Sequence, residues 1–360
     1  MAKTAGKALY QMIYEELRDS IHSGDIPGGS YLPSERELCD RFGVDRITVR
    51  RSLEMLVGDG LVEKRAGIGT VVKEFPLKSL PATDVKNVVF VLPKSRNRVD
   101  RITEPFNTSL FYRIERECNV KGYSLIYETL GADENFAELG NGNQVSGLLL
   151  VSKYTDKQYE DCLRSGLPSV VVNNYQEGFV CVDADNTQGA YDAVNYLCGL
   201  GHRSVGIILG VEGVVTRDRL EGYKRALDDN GIDWKQQVVA QGDWTFDGGY
   251  SAMAELLHSG AKMPTSIFAM NDVTAIGAME AARDEGINIP GDLSFIGFDD
   301  VEQCEYAHPK LTSVHVEINR IAQAACKHLF DSIESRTSPA YRIVIPPRLV
   351  ERKSAAAPKA

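Results

Sequence analysis

From Asn87 onward the chain alternates short apolar runs with amphipathic stretches, and no other feature constrains its fold as strongly. The apolar runs have the length of β-strands: Val88–Leu92, Ser124–Tyr127, Gly147–Val151, Ser169–Val172, Val205–Leu209, Ser266–Met270 and Leu293–Phe298. The helical patterns between them include Asn186–Cys198, Arg219–Asp229, Gly248–His258 and Val273–Glu285. This alternation predicts parallel, doubly wound sheets with helices on both faces. Because about 270 residues exceed one ordinary domain of this kind, we expect two lobes.

The charge distribution separates a short N-terminal part from the rest. The chain has 40 Lys and Arg against 50 Asp and Glu, a net charge of −10. Residues 1–75 contain 11 basic and 12 acidic residues, so almost all of the acidity lies further along the chain. The balance excludes a protein that is basic throughout. It does not exclude a nucleic-acid binder whose basic residues lie in one place.

The sequence disfavours membrane insertion, secretion and metal binding. No stretch approaches the ~20 apolar residues of a membrane span. The N-terminus leads into an amphipathic run and not into the apolar core of a signal peptide. The seven cysteines are scattered without a CxxC pair, so we interpret them as reduced thiols in a cytoplasmic protein. We expect no metal site, no cofactor and no membrane partner.

The first 75 residues show three short helical patterns followed by two short strand patterns. Apolar residues recur every four positions from Leu9 to Ile21, which predicts a first helix with one apolar stripe. Ser34 and Glu37 have the spacing of a capping box at the start of a second helix. After a tight turn, Asp45 can cap a third helix. Two helices joined by a short turn that contains glycine are typical of a helix-turn-helix.

Arginines on the outer face of the third helix suggest DNA as the partner. Arg46 and Arg50 lie opposite its apolar residues, and a guanidinium can donate two parallel hydrogen bonds to guanine or phosphate. Two strands around Gly67 would form a wing behind this helix. Taken alone, the same arginines could equally be a solvated helix face.

The module as a whole resembles the winged helix-turn-helix of the GntR family. The resemblance is carried by Leu32-Pro33-Ser34-Glu35-Arg36-Glu37-Leu38, Phe42-Gly43-Val44, Arg46-Ile47-Thr48-Val49-Arg50, Gly60-Leu61-Val62 and Gly67-Ile68-Gly69-Thr70. It implies DNA contacts from Arg36, Arg46, Thr48, Arg50 and the wing around Gly67.

In the C-terminal part, polar residues follow the predicted strands, where open parallel sheets bind their ligands. Asn173, Asn271 and Asp299 lie directly after strands, Arg219 opens a predicted helix and Trp244 lies in a loop. Amides, carboxylates and a guanidinium can pair with the hydroxyls of a sugar, and an indole can stack on its C–H groups. Any one of these residues could instead cap a helix, fill the core or form a surface ion pair. Their clustering at strand ends carries the argument.

Residues from Asn87 to about Lys353 resemble the LacI/GalR family of sugar-responsive regulators and the periplasmic sugar-binding fold. The resemblance is carried by Val182-Asp183, Leu200-Gly201-His202-Arg203, Arg219-Leu220-Glu221-Gly222-Tyr223, Ala269-Met270-Asn271-Asp272, Ile289-Pro290-Gly291-Asp292 with Phe295-Ile296-Gly297-Phe298-Asp299-Asp300, and Pro309-Lys310-Leu311-Thr312. The effector contacts that it implies are Phe111, in the loop leading into the first lobe helix, Asn173, Arg219, Trp244, Asn271 and Asp299. It also implies a first lobe of about 87–184 plus 312–330 and a second of about 186–310 plus 331–350.

We therefore expect a DNA-binding domain at 1–75, a linker at 76–86, an effector and dimerisation domain at 87–353 and a disordered tail at 354–360. The combination resembles AraR-type arabinose repressors. It implies a transcriptional repressor that binds palindromic operator DNA as a homodimer and is released by a small sugar between the lobes. A repressor that needs its ligand as co-repressor, or an activator, responding to a different small polar ligand, stays open as an alternative, because the motifs do not give the sign of the response.

Two other classes of protein fit the sequence less well. A GntR-type module also occurs fused to an aminotransferase-like domain that uses pyridoxal phosphate, but this chain shows no context for a Schiff-base lysine. It also contains no GxSxG, HExxH or P-loop motif, so we expect no enzyme. The missing signal peptide and the attached DNA module disfavour a solute-binding protein for transport.

Overall fold

The computed structural model describes residues 9–22, 26, 29–58, 61–65, 69–72, 86–94, 101–136, 139, 145–335 and 340–359. The chain divides into two compact units, Met1–Asp84 and Val85–Ala360. The predicted linker 76–86 lies outside the described residues except for Lys86. Within the described ranges, no helix is both long and apolar enough to cross a membrane.

The N-terminal unit consists of three helices and a hairpin, as the sequence predicts. Its elements are α1 (Leu9–His22), α2 (Glu35–Phe42), α3 (Arg46–Gly58), and the antiparallel strands β1 (Val62–Arg65) and β2 (Gly69–Val72). The capping box forms, since the Glu37 amide donates to Ser34 Oγ at 3.3 Å and the Ser34 amide to Glu37 Oε2 at 2.7 Å. Asp45 Oδ1 caps α3 by accepting from the Thr48 amide at 2.7 Å.

One apolar cluster joins all of these elements. Its buried members are Ile13, Leu17, Leu32, Leu38, Val49, Leu53, Leu56, Leu61, Val62 and Val72. The stripe of α1 packs on α3, and the start of the hairpin closes the cluster. Because α3 points its apolar face into this core, its opposite face is left for solvent or a partner.

The second unit begins with a lobe built on a parallel sheet. Its elements are β3 (Lys86–Pro93), α4 (Pro105–Val120), β4 (Tyr123–Leu130), β5 (Val145–Val151), α5 (Asp156–Ser165), β6 (Ser169–Val172), β7 (Val180–Ala184), α11 (Ile318–Ser335) and β13 (Tyr341–Ile345). The strand order is β13-β7-β6-β5-β3-β4, and every pair is parallel. The inner strands are almost wholly buried, as expected for a sheet covered on both faces.

A second lobe has the same design. Its elements are α6 (Asn186–Gly199), β8 (Val205–Leu209), α7 (Val214–Asp229), β9 (Val239–Gln241), α8 (Phe246–His258), β10 (Ser266–Ala269), α9 (Asp272–Asp284), β11 (Ser294–Asp299), α10 (Gln303–Tyr306), β12 (Thr312–His315) and β14 (Arg348–Val350). The strand order is β14-β12-β11-β10-β8-β9, with only β14 antiparallel. The predicted fold class, a two-lobed domain of doubly wound parallel sheets, is confirmed.

The predicted division of the chain between the lobes is wrong at two strands. β12 was expected in the first lobe, but it pairs with β11 of the second, with Thr312 opposite Ile296. β13 was expected in the second lobe, but it pairs with β7 of the first, with Tyr341 opposite Val180. Within the described residues the chain therefore passes between the lobes three times, after β7, after β12 and after β13.

The predicted disordered tail is also wrong, because residues 354–359 pack along the second lobe. Ser354 is fully buried, and its hydroxyl donates to the Phe295 carbonyl at 2.6 Å while accepting from the Thr312 amide at 2.8 Å. Further along, the Ala356 carbonyl bonds to the buried ring of His202 at 2.9 Å. Burial lowers the pKa of His202, so a neutral ring is favoured in the folded chain. The segment serves as an outer layer over β11 and β12.

We predict that Ser354→Val destabilises this region by about 2–3 kcal/mol, because a buried amide and a buried carbonyl each lose their partner. Native-state hydrogen exchange of the β11 and β12 amides measures the effect. Lys359→Ala, in the exposed part of the same segment, is the control and should change stability by no more than about 0.5 kcal/mol. Equal exchange rates in both variants would show that the segment does not support the lobe.

Candidate functional sites

The outer face of the N-terminal unit presents the residues predicted to contact DNA. Arg36, Arg46 and Arg50 are exposed, and Thr48 is half-buried at the start of α3. Ile47 lies beside them with 78% of its surface exposed. Gly67, at the predicted wing tip, lies outside the described residues. Arg46, Thr48 and Arg50 thus lie in the first turns of α3, the end at which a recognition helix contacts base edges, while Arg36 lies on α2.

Glu35, at the first position of α2, holds two of these arginines. Its carboxylate accepts from Arg46 Nε at 2.9 Å and from Arg50 Nε at 3.1 Å. The hydrogen bond and charge of Arg50, followed by those of Arg46, keep the pKa of Glu35 below its usual value. Glu35 was not among the residues predicted from the sequence to contact DNA. The signal was its place beside the capping serine, facing a helix that carries arginines one turn apart.

Strained backbone marks the carboxyl ends of the strands in the two lobes. Among the described residues, the non-glycine positions with positive φ are Ser152, Asn173, Trp244, Asp299 and Asp300, with φ values of 72°, 55°, 74°, 110° and 56°. They follow β5, β6 and β9 or end β11. Such conformations cost about 1–3 kcal/mol each and concentrate at functional sites. Three of the five are residues that the sequence analysis assigned to ligand binding.

The predicted ligand-binding residues of the second lobe, Arg219, Trp244, Asn271 and Asp299, form one group. The buried guanidinium of Arg219 lies at its centre. Arg219 Nε donates to Asn186 Oδ1 at 2.8 Å, Nη2 donates to Asp299 Oδ1 at 3.2 Å, and Nη1 donates to the Met270 carbonyl. Its guanidinium carbon lies 3.6 Å from the ring centroid of Phe298. Arg219 was predicted to open its helix, but α7 begins at Val214 and places Arg219 in its second turn. The hydrogen bond between Arg219 and Asn186 was not predicted from the sequence.

Burial controls the electrostatics of this group. Burial raises the pKa of Asp299 to about 6, although the adjacent Arg219 opposes the shift. Burial likewise lowers the pKa of Arg219, against the pull of Asp299. The negative charge of Glu104, at the start of α4 in the first lobe, also raises the pKa of Asp299. Arg219 and Asp299 are thus both buried, in a setting where hydrogen bonds to a polar ligand are strong.

Trp244 is held beside the guanidinium of Arg219 by its contacts with Gly210 and Asn271. Its ring centroid lies 5.7 Å from Arg219, and a Cβ placed on Gly210 would lie 2.1 Å from its indole, so only glycine fits there. Asn271 Nδ2 donates to the Trp244 carbonyl at 3.0 Å. Asn271 Oδ1 also caps α9 by accepting from the Thr274 amide at 3.1 Å. One asparagine thus serves both as helix cap and as support for the indole.

The two first-lobe candidates lie apart from this contact network. Phe111 was predicted in a loop, but it lies within α4 and packs edge-on against Phe90 at 5.3 Å and Tyr127 at 6.3 Å between ring centroids. The helix begins at Pro105, six residues before Phe111, and so draws it into the aromatic cluster. Asn173 is half-buried after β6, where its backbone N–H donates to the Val182 carbonyl at 3.0 Å.

Each of the two units matches a known protein family. Residues 9–72 match the bacterial regulatory proteins of the gntR family, and residues 194–355 match a periplasmic binding protein-like domain. The chain is 32% identical over 338 residues to the HTH-type transcriptional repressor PurR of Proteus mirabilis (strain HI4320), which covers 89% of this chain and 96% of that protein. PurR of Serratia proteamaculans (strain 568) is 30% identical over 336 residues with the same coverage.

Solved structures with bound sugars share the fold of the second unit. A LacI family transcriptional regulator from Enterococcus faecium with bound ribose has 29% identity and a TM-score of 0.69, and it covers 76% of this chain and 100% of that one. A complex of the transcriptional regulator CelR with cellobiose has 26% identity and a TM-score of 0.68, and it covers 90% of this chain and 100% of that one.

We predict that Asn271→Ser keeps the α9 cap but is too short to donate to the Trp244 carbonyl, so Trp244 becomes more accessible while stability changes little. Asn271→Ala loses both contacts and should also destabilise the lobe by about 1–2 kcal/mol. Acrylamide quenching of Trp244 in a Trp234→Phe background and urea unfolding separate the two effects. Unchanged quenching in both variants would contradict the support of Trp244 by Asn271.

Proposed function

The chain belongs to the LacI/PurR family of transcriptional repressors and carries a GntR-type helix-turn-helix, and we propose that it couples operator binding to a small sugar held between its lobes. Its class, a DNA-binding regulator and not an enzyme, is the class that the sequence predicts. We also infer a cytoplasmic location, because a repressor must be where its operator DNA is found.

The DNA contacts that we propose are Arg36, Arg46, Thr48, Arg50 and the wing around Gly67. The exposed arginines on one face of α3 and α2 support this, because guanidinium groups pair with both phosphates and guanine. The Glu35 carboxylate fixes the direction of two guanidiniums before DNA arrives. Preorganised side chains lose less conformational entropy on binding.

We propose that the chain acts as a homodimer on a palindromic operator. A single winged module covers one half-site, and two modules related by a two-fold axis fit two half-sites of opposite direction. The net charge of −10 lies almost wholly outside the N-terminal module, which disfavours binding of DNA by the rest of the chain.

The ligand that we propose is a small sugar held by Arg219, Trp244, Asn271 and Asp299, with Asn173 and Phe111 from the first lobe. The observation that carries this proposal is the buried Arg219–Asp299 pair, 3.2 Å apart, beside an indole. A guanidinium and a carboxylate suit neighbouring hydroxyls, and the indole suits the apolar face of a sugar ring. Two structural relatives are described as complexes with ribose and with cellobiose.

Ligand binding would act on DNA by shifting the closure of the lobes and thereby the spacing of the paired winged modules. A coupling free energy of about 1–3 kcal/mol is enough to change operator affinity 5- to 150-fold. The change is reciprocal, so operator DNA must shift the affinity for the sugar by the same factor.

For DNA binding, we predict that selection from random duplexes recovers palindromic sites and that Arg46→Ala and Arg50→Ala each weaken binding to them at least fivefold, since each loses a contact of about 1–3 kcal/mol. Gel shifts at fixed salt provide the measurement. Arg164→Ala removes one positive charge from an exposed helix of the other unit and should leave affinity unchanged. Equal affinity of all three variants would refute the proposed face.

For the sugar, a thermal-shift screen of pentoses and hexoses should find one that stabilises the wild type, by about 2.7 kcal/mol at 100 times its Kd. Trp244→Ala and Asp299→Asn should abolish that shift, because one loses the stacking surface and the other the carboxylate charge. Glu221→Gln, on the exposed side of α7, serves as the matched control. A shift that survives in both site variants would place the ligand elsewhere.

A further inference from the structure

An arginine of the first lobe spans to the second lobe close to the proposed sugar site. Arg342 lies on β13, and its Nη2 donates to Asp183 Oδ2 of β7 at 3.1 Å. The same atom donates to Asp218 Oδ2 of α7, in the second lobe, at 2.9 Å. The ring of Tyr175 lies 5.5 Å from its guanidinium. One guanidinium thus joins carboxylates of both lobes.

The ion pairs of Arg342 with Asp183 and Asp218, here called the bridge, are connected to the buried guanidinium of Arg219 by a chain of hydrogen bonds. The second oxygen of Asp183 accepts from Asn186 Nδ2 at 3.1 Å, and Asn186 Oδ1 accepts from Arg219 Nε at 2.8 Å. Asp183 and Asn186 are both fully buried and lie on either side of the first crossover between the lobes. Burial raises the pKa of Asp183, so its charge depends on the cations around it.

Helix α7 carries both ends of the connection. Asp218 and Arg219 are consecutive, so their side chains leave the helix about 100° apart. Arg219 points to Asp299, and Asp218 points to Arg342 of the other lobe. A rotation of the lobes that separates Asp218 from Arg342 must therefore move α7, and with it Arg219, relative to the first lobe.

We propose that Arg342 is a positioning residue for ligand binding, which holds the lobes in the ligand-binding arrangement through Asp218 and orients Arg219 through Asp183 and Asn186. The inference rests on the proposed sugar site for its effect on affinity. The bridge itself is testable without any ligand. Because Arg342 and Asp218 are each about one-quarter to one-third exposed, the bridge can break and re-form as the lobes move.

The sharpest variant is Asp218→Asn, which removes the charge at the second-lobe end of the bridge but leaves the buried Asp183 paired with Arg342. Glu221→Gln loses one carboxylate from the same helix on its exposed side and is the control. Arg342→Gln breaks both ends, and Arg342→Lys restores the charge. Since Arg342→Gln leaves a buried carboxylate without its cation, Asp218→Asn keeps the test valid if that variant fails to fold.

Two readouts are measured on the full chain, with Trp234→Phe so that Trp244 is the sole indole. Without ligand, acrylamide should quench Trp244 more strongly in Asp218→Asn than in Glu221→Gln. With the sugar found by thermal shift, calorimetry and stopped-flow should show affinity about fivefold lower in Asp218→Asn, with the loss in the dissociation rate. Arg342→Gln should lose more, and Arg342→Lys should recover part.

The outcomes separate this inference from the proposed function. If no sugar binds the wild type, the proposed ligand is wrong, and the quenching data alone decide on the bridge. Greater quenching in Asp218→Asn then supports the bridge, and equal quenching in Asp218→Asn and Glu221→Gln overturns it. If a sugar binds and Asp218→Asn matches Glu221→Gln in affinity, dissociation rate and quenching, the positioning role is wrong.

Discussion

The second unit depends on the burial of one charge, the guanidinium of Arg219. A buried cation without partners is far too costly to keep, so the fold must bring acceptors to it. Asp299 comes from the end of β11, the Met270 carbonyl from the end of β10 and Asn186 from the crossover into α6. These three segments therefore meet at one point. The strained backbone at Asp299 and Trp244 is compatible with this arrangement, since the surrounding contacts over-determine it.

In both units, polar groups are positioned before any partner arrives. Glu35 orients two arginines on the outer face of the N-terminal unit, and Asn271 supports the indole beside Arg219. In each case an amide or carboxylate at the start of a helix also contacts a residue proposed to bind. Asn271 does so as the cap of α9 and Glu35 from the first position of α2, where the helix end fixes the backbone of each residue.

Local pattern predicts much of this fold, and long-range pairing accounts for what it misses. The runs at 88–92, 147–151 and 205–209 are apolar because helices cover both faces of their strands. These strands can therefore be recognised from the sequence alone. β13 has only one buried residue, Ile345, and β9 has none, and the apolar stretches in both are too short to stand out as strands in the sequence. Their lobes are set by partners more than 30 residues away. The strand-end rule found Arg219, Trp244, Asn271 and Asp299, whereas Arg342 reaches the site from the edge of the other sheet. The prediction of a disordered tail was wrong because it was based on the Ala and Lys composition of the segment. That composition does not show that the hydroxyl of Ser354 is buried in the core.

The central claim is that a small carbohydrate between the lobes alters the affinity of the winged modules for operator DNA. Fluorescence anisotropy of a labelled operator, titrated with protein at fixed salt with and without the sugar, tests it most directly. The account predicts a change of at least fivefold in operator affinity for the wild type and none for Trp244→Ala, which loses the stacking surface but keeps the Arg219–Asp299 pair and the DNA-binding face. Operator affinity that stays the same at saturating sugar, in a protein shown to bind that sugar, would contradict it.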